Sequence, residues 1–180
     1  MNSMTETNHI TKTDPVPLAD CVKTLAIEYV PSIDQSVLYF GNNQMLYVPM
    51  TPEEILDHWC SSCGSSLRGR RDFVYQMTGI QIKRPILISE SLMTMFFPMR
   101  SGRLKDSNIW ICEDQIMRVT SDGRANTVIL FQNGYRLEIP YNIRMVQRQI
   151  ENCRRCRKIL MNYKEDLIER PLYIAVKEIN

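Results

Sequence analysis

Alternating apolar and polar positions predict short antiparallel strands along most of the chain. Apolar runs at 36–40 and 44–48 flank a Gly-Asn-Asn sequence, and runs at 127–131 and 135–139 flank Asn133-Gly134. Asparagine and glycine tolerate the positive φ angles of tight turns, so both pairs are predicted to be β-hairpins. The remaining strand candidates are residues 22–30, 74–77, 80–82, 85–88, 93–97 (closed by Pro98), and 108–120 as one bent strand or two.

Two segments have the end signals or the periodicity of α-helices. Thr51 can cap a helix, Pro52 suits its first position, and the glutamates that follow suit its positive end, which predicts a short helix near 51–62. A long helix is predicted near 142–163, because one apolar stripe recurs there at helical spacing: Ile143, Val146, Ile150, Cys153 and Leu160. The glycine- and serine-rich stretch 64–71 is predicted to be a loop.

These elements predict an α+β fold: an antiparallel sheet, or two small ones, built from hairpins, with one short helix and a long C-terminal helix. Residues 1–20 are predicted to be a flexible arm, residues 21–165 one domain, and residues 166–180 a tail. No apolar run approaches the roughly 18 residues that span a bilayer, and the N-terminus lacks a secretory pattern. We therefore expect a cytoplasmic protein without a membrane partner, whose six cysteines are thiols or metal ligands rather than disulfides.

The net charge of +2 conceals an uneven distribution. Residues 1–60 sum to −6, whereas residues 68–105 and residues 142–164 each sum to +6. Clustered lysine and arginine release condensed counterions on meeting phosphates, so two basic blocks favour a polyanionic partner. The alternative is a solvated charged face that the acidic N-terminal region balances.

The first basic block provides the candidate DNA-binding residues. Two glycine-containing basic loops, at 64–71 and 99–106, present arginines that suit entry into the narrow minor groove of A/T-rich DNA. The long helix is the second choice, and no short helix before it completes a helix-turn-helix. The candidates are Arg68, Arg70, Arg71, Lys83, Arg84, Arg100, Arg103 and Lys105.

The cysteine spacing suggests a second chemistry. Cys60 and Cys63 form one C-x-x-C pair, and Cys153 and Cys156 form another, which is the ligand set of a structural zinc site. About ninety residues separate the pairs, far more than in compact zinc ribbons, so buried free thiols are preferred and no cofactor is expected. With only two histidines and no nucleotide-binding glycine loop, the sequence does not predict an enzyme.

Five blocks, in order, resemble the ComK family of competence transcription factors over about residues 22–160. They are Cys60 with Gly64-Ser65-Ser66 and Gly69-Arg70-Arg71; Lys83 with Pro85-Ile86; Phe97-Pro98 with Ser101, Arg103 and Trp110-Ile111; Asn133-Gly134 with Leu137-Glu138-Ile139-Pro140; and Tyr141-Asn142. Cys63, Cys153 and Cys156 depart from the family pattern.

The resemblance implies an activator of genes for DNA uptake. It implies binding to paired A/T-rich boxes, mainly through the minor groove, as a homodimer or dimer of dimers that recruits RNA polymerase. It also implies a proteolytic adaptor that docks on a longer tail, which the last twenty residues here do not resemble. The alternatives are a protein-interaction module that docks an acidic partner and a small zinc-stabilised protein.

Overall fold

The computed structural model describes residues 16–42, 44–100, 108–123 and 125–169. The helices in these ranges are α1 (Leu18–Cys21), α2 (Pro52–Ser62), α3 (Leu67–Thr78) and α4 (Ile143–Glu169). The strands are β1 (Ala26–Val30), β2 (Gln35–Gly41), β3 (Gln44–Val48), β4 (Ile86–Ser89), β5 (Thr94–Arg100), β6 (Asn108–Cys112), β7 (Ile116–Ser121), β8 (Thr127–Phe131) and β9 (Arg136–Ile139). They form a six-stranded sheet in the order β3-β2-β1-β6-β5-β4 and a three-stranded sheet in the order β7-β8-β9. The predicted α+β class is confirmed.

Both predicted hairpins are present. β2 pairs antiparallel with β3, and β8 with β9, around turns that hold Gly41 at φ +89° and Gly134 at φ +84°. The segment 108–120 is two strands, because a 3-10 turn at Glu113–Gln115 separates β6 in the large sheet from β7 in the small one. The chain thus changes sheets at this turn.

The prediction that Pro98 closes its strand is wrong. β5 continues to Arg100 and keeps its register with β6, where Pro98 lies opposite Trp110. The pairing of β5 with β4 extends only to Ile86 opposite Phe96, so Pro98 has no strand on that side. A proline lacks the N–H group that a ladder needs, and such an edge position tolerates it.

The predicted helix near 51–62 is confirmed as α2, with the expected cap. Thr51 Oγ1 accepts a hydrogen bond from the N–H of Glu54 at 3.3 Å, and Glu54 Oε2 accepts one from the N–H of Thr51 at 2.7 Å. This reciprocal pair satisfies two N–H groups that a helix start leaves free.

A further helix, α3, covers residues 67–71 of the loop predicted at 64–71 and the whole strand predicted at 74–77. Ser66 Oγ accepts a hydrogen bond from the N–H of Gly69 at 3.0 Å, and Asp57 Oδ1 accepts one from the N–H of Leu67 at 2.7 Å. The helix ends at Gly79, in the left-handed region at φ +72°. The loop prediction was wrong because serine and glycine mark helix starts as well as turns.

Segment 79–85 has no regular structure, so the strand predicted at 80–82 is absent. With α3 present, α2 and α3 are two helices joined by only four residues, 63–66. The sequence predicts no helix-turn-helix beside the long helix, and the α2–α3 pair lies earlier in the chain.

Two buried clusters cover opposite faces of the six-stranded sheet. The α2 core includes Ile27, Phe96 and Trp110 from the sheet and Trp59 from α2. The α4 core joins the other face to the three-stranded sheet and α4, and it includes Ala26, Phe97, Ile111, Phe131 and Val146. Neighbouring residues along β1, β5 and β6 belong to different clusters, as expected when successive side chains point to opposite faces.

The two sheets also touch through their turns. Asn133 Nδ2, in the β8–β9 turn, donates a hydrogen bond to the carbonyl of Phe40 at 3.1 Å. A Cβ atom at Gly41 would lie 2.0 Å from this nitrogen, so the approach requires glycine. Tyr141 additionally donates its hydroxyl hydrogen to the carbonyl of Met99 at 3.0 Å, tying the start of α4 to β5.

The chain ends differ in part from the prediction. Most of the predicted arm lies outside the described residues, but its last residues are packed: Val16 is buried, and its carbonyl accepts a hydrogen bond from Trp59 Nε1 at 3.1 Å. The predicted long helix is confirmed, and it continues to Glu169, into the predicted tail. No helix in the described ranges is long and apolar enough to cross a bilayer.

Candidate nucleic-acid interface

Helix α3 sends its three predicted DNA-binding arginines into different environments. Successive residues on a helix point about 100° apart, so Arg68 and Arg71, three residues apart, lie at neighbouring surface positions, whereas Arg70 points to another side of the helix. The Arg68 side chain is 93% exposed, with Asp72 Oδ2 3.9 Å from its Nε. It is therefore free to meet a partner.

Arg70 is a structural residue rather than an exposed cation. Its side chain is 10% exposed, and its Nη1 lies 3.1 Å from Glu90 Oε1, in the turn after β4. A phosphate would reach this guanidinium only by displacing Glu90. The assignment of Arg70 to the DNA-binding surface stays a prediction, and its burial and ion pair favour Arg68 over it as a contact residue.

Three other predicted residues, Arg71, Lys83 and Arg84, come together in a cleft of about 410 Å³. Pro98 of β5 and Trp110 of β6 line it, together with residues 81–84; we call it the Trp110 cleft. The Arg71 guanidinium lies over the indole ring, 5.7 Å from its centroid. This cation–π geometry holds an arginine in place while leaving its N–H groups able to donate.

Arg84 fixes the shape of segment 79–84. Its Nε donates to the carbonyls of Ile80 and Gln81, at 3.0 and 3.1 Å. Its guanidinium also lies over the ring of Tyr75 on α3, 4.8 Å from the centroid. Lys83 beside it adopts φ +50°, an uncommon value for a side-chain-bearing residue. The segment is thus held against α3 by an arginine that also lines the cleft.

The electrostatics of the cleft favour an anion. Burial, and then the nearby charge of Arg84, lower the pKa of Arg71, so the two guanidinium groups repel one another. Glu53 and Asp72 offset this only loosely, at 3.9 Å from Arg71 and 3.8 Å from Arg84. Trp110 Nε1 is buried and donates no hydrogen bond within the described part of the chain. An oxyanion would relieve the repulsion and offer acceptors to these donors.

Of the second predicted basic loop, at 99–106, the structure describes only residues 99 and 100. Arg100 ends β5, on the strand that also provides Pro98 to the cleft. Arg103 and Lys105 lie outside the described residues, so their candidacy stays a prediction.

Four arginines of α4 fall into two groups. Arg157 Nη2 lies 2.8 Å from Glu113 Oε2 and also pairs with Asp114, while Arg154 Nε lies 3.7 Å from Glu113 Oε1. Arg148 and Arg155 instead face a groove beside segment 79–83 and form no ion pair with a described carboxylate. Their spacing of seven residues was a signal in the sequence that they share a helix face.

The two C-x-x-C pairs are not brought together. Cys60 and Cys63 belong to the α2 core, whereas Cys153 and Cys156 belong to the α4 core on the other face of the large sheet. No group of three or more His, Cys, Asp or Glu side chains in the described ranges is placed to hold a metal ion. The structure thus offers no four-cysteine zinc site.

We expect only Cys63 to react quickly with a thiol reagent in the native protein. All six thiols are free, and Cys63 alone among them is not buried. Burial raises the pKa of Cys60 and of Cys112 to about 12 and that of Cys156 to about 11, which leaves little thiolate at pH 8. The measurement is the fast phase of reaction with Ellman's reagent, before and after addition of guanidinium chloride. A native burst of more than one thiol would contradict the expected burial.

Two comparisons with known proteins point to the same family. The ComK protein family model matches residues 22–165. A curated relative, the "Competence transcription factor" of Bacillus subtilis (strain 168), is 29% identical over 106 residues, which are 59% of this chain and 55% of the relative. The chain thus spans little more than half the length of that curated relative. No solved structure matches it.

Proposed function

The chain belongs to the ComK family, and from this premise we propose that it is a non-enzymatic, DNA-binding transcription regulator of competence genes. The observation that supports this most directly is the Trp110 cleft, which Arg71, Lys83 and Arg84 line together with Trp110. Cations held close together, two of them paired with carboxylates only at 3.8 and 3.9 Å, suit the phosphate oxygens of a nucleic acid. A regulator of this kind acts at the chromosome, so the proposal places it in the cytoplasm, at the nucleoid.

We propose that binding occurs mainly through the minor groove of A/T-rich boxes. Segment 79–84 is a thin loop whose Ile82 is 77% exposed, with Lys83 and Arg84 directly beside it. Narrow A/T-rich minor grooves concentrate negative potential and accept arginine side chains and apolar residues carried on loops. Arg68 precedes Arg71 by three residues, and Arg100 follows Pro98 by two. We propose that these two arginines extend the contact.

A major-groove mode is the competing interpretation, favoured by the α2–α3 pair. A helix-turn-helix places its second helix in the major groove, and α3 exposes Arg68. The two modes are therefore distinguished by whether the protein occupies the minor or the major groove of DNA.

The partners beyond DNA are proposals from family membership. We propose a homodimer, or a dimer of dimers, that occupies paired boxes and recruits RNA polymerase. A proteolytic adaptor remains part of the proposal.

The test is a gel-shift titration of the full chain on A/T-rich and G/C-rich duplexes at several salt concentrations. We expect preference for A/T-rich DNA, and a logarithm of the affinity that falls linearly with the logarithm of salt, by about 0.9 per neutralised phosphate. The minor-groove ligand distamycin should displace the protein, and the major-groove ligand methyl green should not. The reverse pattern would favour α3 in the major groove, and no binding at low salt would overturn the DNA-binding proposal.

A further inference from the structure

A second cavity of about 440 Å³ lies between segment 79–83 and helix α4. We call it the α4 groove; its walls include Met99, Met145, Arg148, Gln149 and Arg155. Met99 follows Pro98 on β5, and successive side chains of a strand point to opposite faces. The α4 groove and the Trp110 cleft therefore lie on opposite faces of the six-stranded sheet. The volume of the α4 groove, about 440 Å³, is in the range of small-ligand sites.

The charge of the α4 groove has one sign. Lys83, Arg148 and Arg155 line it, and none of its lining residues is acidic. The ion pairs on α4 use Arg154 and Arg157, which Glu113 and Asp114 neutralise elsewhere on the helix. The three groove cations pair with no carboxylate in the described ranges, so the groove favours an anionic group.

A buried polar atom sets a second requirement. Gln149 is 5% exposed, and its Oε1 accepts no hydrogen bond from the described part of the chain. Buried acceptors in native structures nearly always have a donor. A phosphate monoester ionised to its dianion offers only acceptors, so it would bind the cations and leave Gln149 unsatisfied. An occupant that satisfies both features carries an N–H or O–H donor as well as a negative charge.

The apolar wall sets a third requirement. Met99 is fully buried and Met145 is 39% exposed. Flexible thioether side chains pack well against flat aromatic rings. A ligand with an anion, a hydrogen-bond donor and an aromatic ring meets all three conditions.

We propose that the α4 groove binds a nucleoside phosphate. The phosphate pairs with the groove cations, the base packs on Met145, and an amino or hydroxyl group donates to Gln149 Oε1. Two sources supply this chemistry, namely a free mononucleotide and a nucleotide unit at an unpaired stretch of a DNA strand.

The experiment titrates the full chain with adenosine 5′-monophosphate, followed by calorimetry and by NMR amide shifts. We expect saturable binding, with shifts at α4 and segment 79–83, and at least about tenfold weaker binding of adenosine and of inorganic phosphate. Arg148→Gln and Gln149→Met should each weaken the nucleotide about tenfold, the second because it removes the acceptor while keeping the volume. The matched control is Arg144→Gln, at an exposed position of α4 outside the groove.

No saturable binding of the nucleotide to folded wild-type protein at millimolar concentrations overturns the proposal. So does inorganic phosphate binding as tightly as the nucleotide, or equal weakening by Arg144→Gln and Arg148→Gln. Circular dichroism of each variant shows that the fold is retained.

A final arm identifies the source and separates this inference from the proposed DNA binding. If a single-stranded oligonucleotide displaces the nucleotide, and Arg148→Gln weakens that displacement, the groove takes a nucleotide of a DNA strand. If both bind together, the ligand is free nucleotide. Lys83 lines both cavities, so the cleft variant used here is Arg71→Ala/Arg84→Ala, which should lose duplex binding and keep the nucleotide.

Discussion

Replacing Arg157 with alanine should lower the free energy of unfolding by about 3 kcal/mol, because it leaves a buried carboxylate without its partner. Glu113 is 7% exposed, and its Oε2 lies 2.8 Å from Arg157 Nη2. Removing one member of a buried ion pair costs far more than the pair contributes, since the remaining charge stays in a poorly solvated site.

The matched control is Arg154→Ala. Its Nε lies 3.7 Å from the same glutamate, but its side chain is 70% exposed. Exposed pairs contribute about 0–1 kcal/mol, so this variant should unfold close to the wild type. Urea denaturation followed by circular dichroism measures both variants, and the double variant Glu113→Gln/Arg157→Met should recover most of the loss. Equal stability of Arg154→Ala and Arg157→Ala would show that burial of Glu113 does not determine the effect.

The second large effect is on DNA affinity. The double variant Arg71→Ala/Arg84→Ala should bind an A/T-rich duplex about 100-fold more weakly, since charge-assisted hydrogen bonds contribute roughly 1.5–3 kcal/mol each. The affinity of this variant should also fall less steeply with salt than that of the wild type, and the difference in slope should correspond to about two phosphate contacts. Gel shifts across a salt series measure both quantities.

The control removes two arginines from the three-stranded sheet. Arg118 and Arg136 are exposed, on β7 and β9, and Arg118→Ala/Arg136→Ala changes the net charge by the same amount. We expect its affinity to fall less than about tenfold, through long-range electrostatics alone. If both double variants weaken binding equally, the protein's overall charge, rather than the Trp110 cleft, determines binding.

The hairpins were predictable because their signals are local. Asn133-Gly134 determines its turn within four residues, and Thr51 caps α2 with a glutamate three positions away. Helix α3 was missed because its Ser66 cap and Gly69 have the composition of a turn. A Cβ at Gly69 would lie 3.2 Å from Ser65 Oγ, a tight contact.

The candidate site was predictable in composition but not in geometry. Arg70 and Arg71 are neighbours in a basic stretch, yet Glu90 pairs with the first and Trp110 lies under the second. Those partners come from β6 and from the turn after β4, and no local pattern reveals them. The cysteine pairs failed as a zinc signal for the same reason, since a whole sheet separates their clusters.

The contact between the two hairpin turns has an evolutionary consequence. Position 41 admits no side chain while Asn133 donates to the carbonyl of Phe40, so a change at either position alters what the other tolerates. The two turns are distant in sequence but form one heritable unit. Substitutions there are epistatic, and we expect positions 41 and 133 to covary across descendants of this chain.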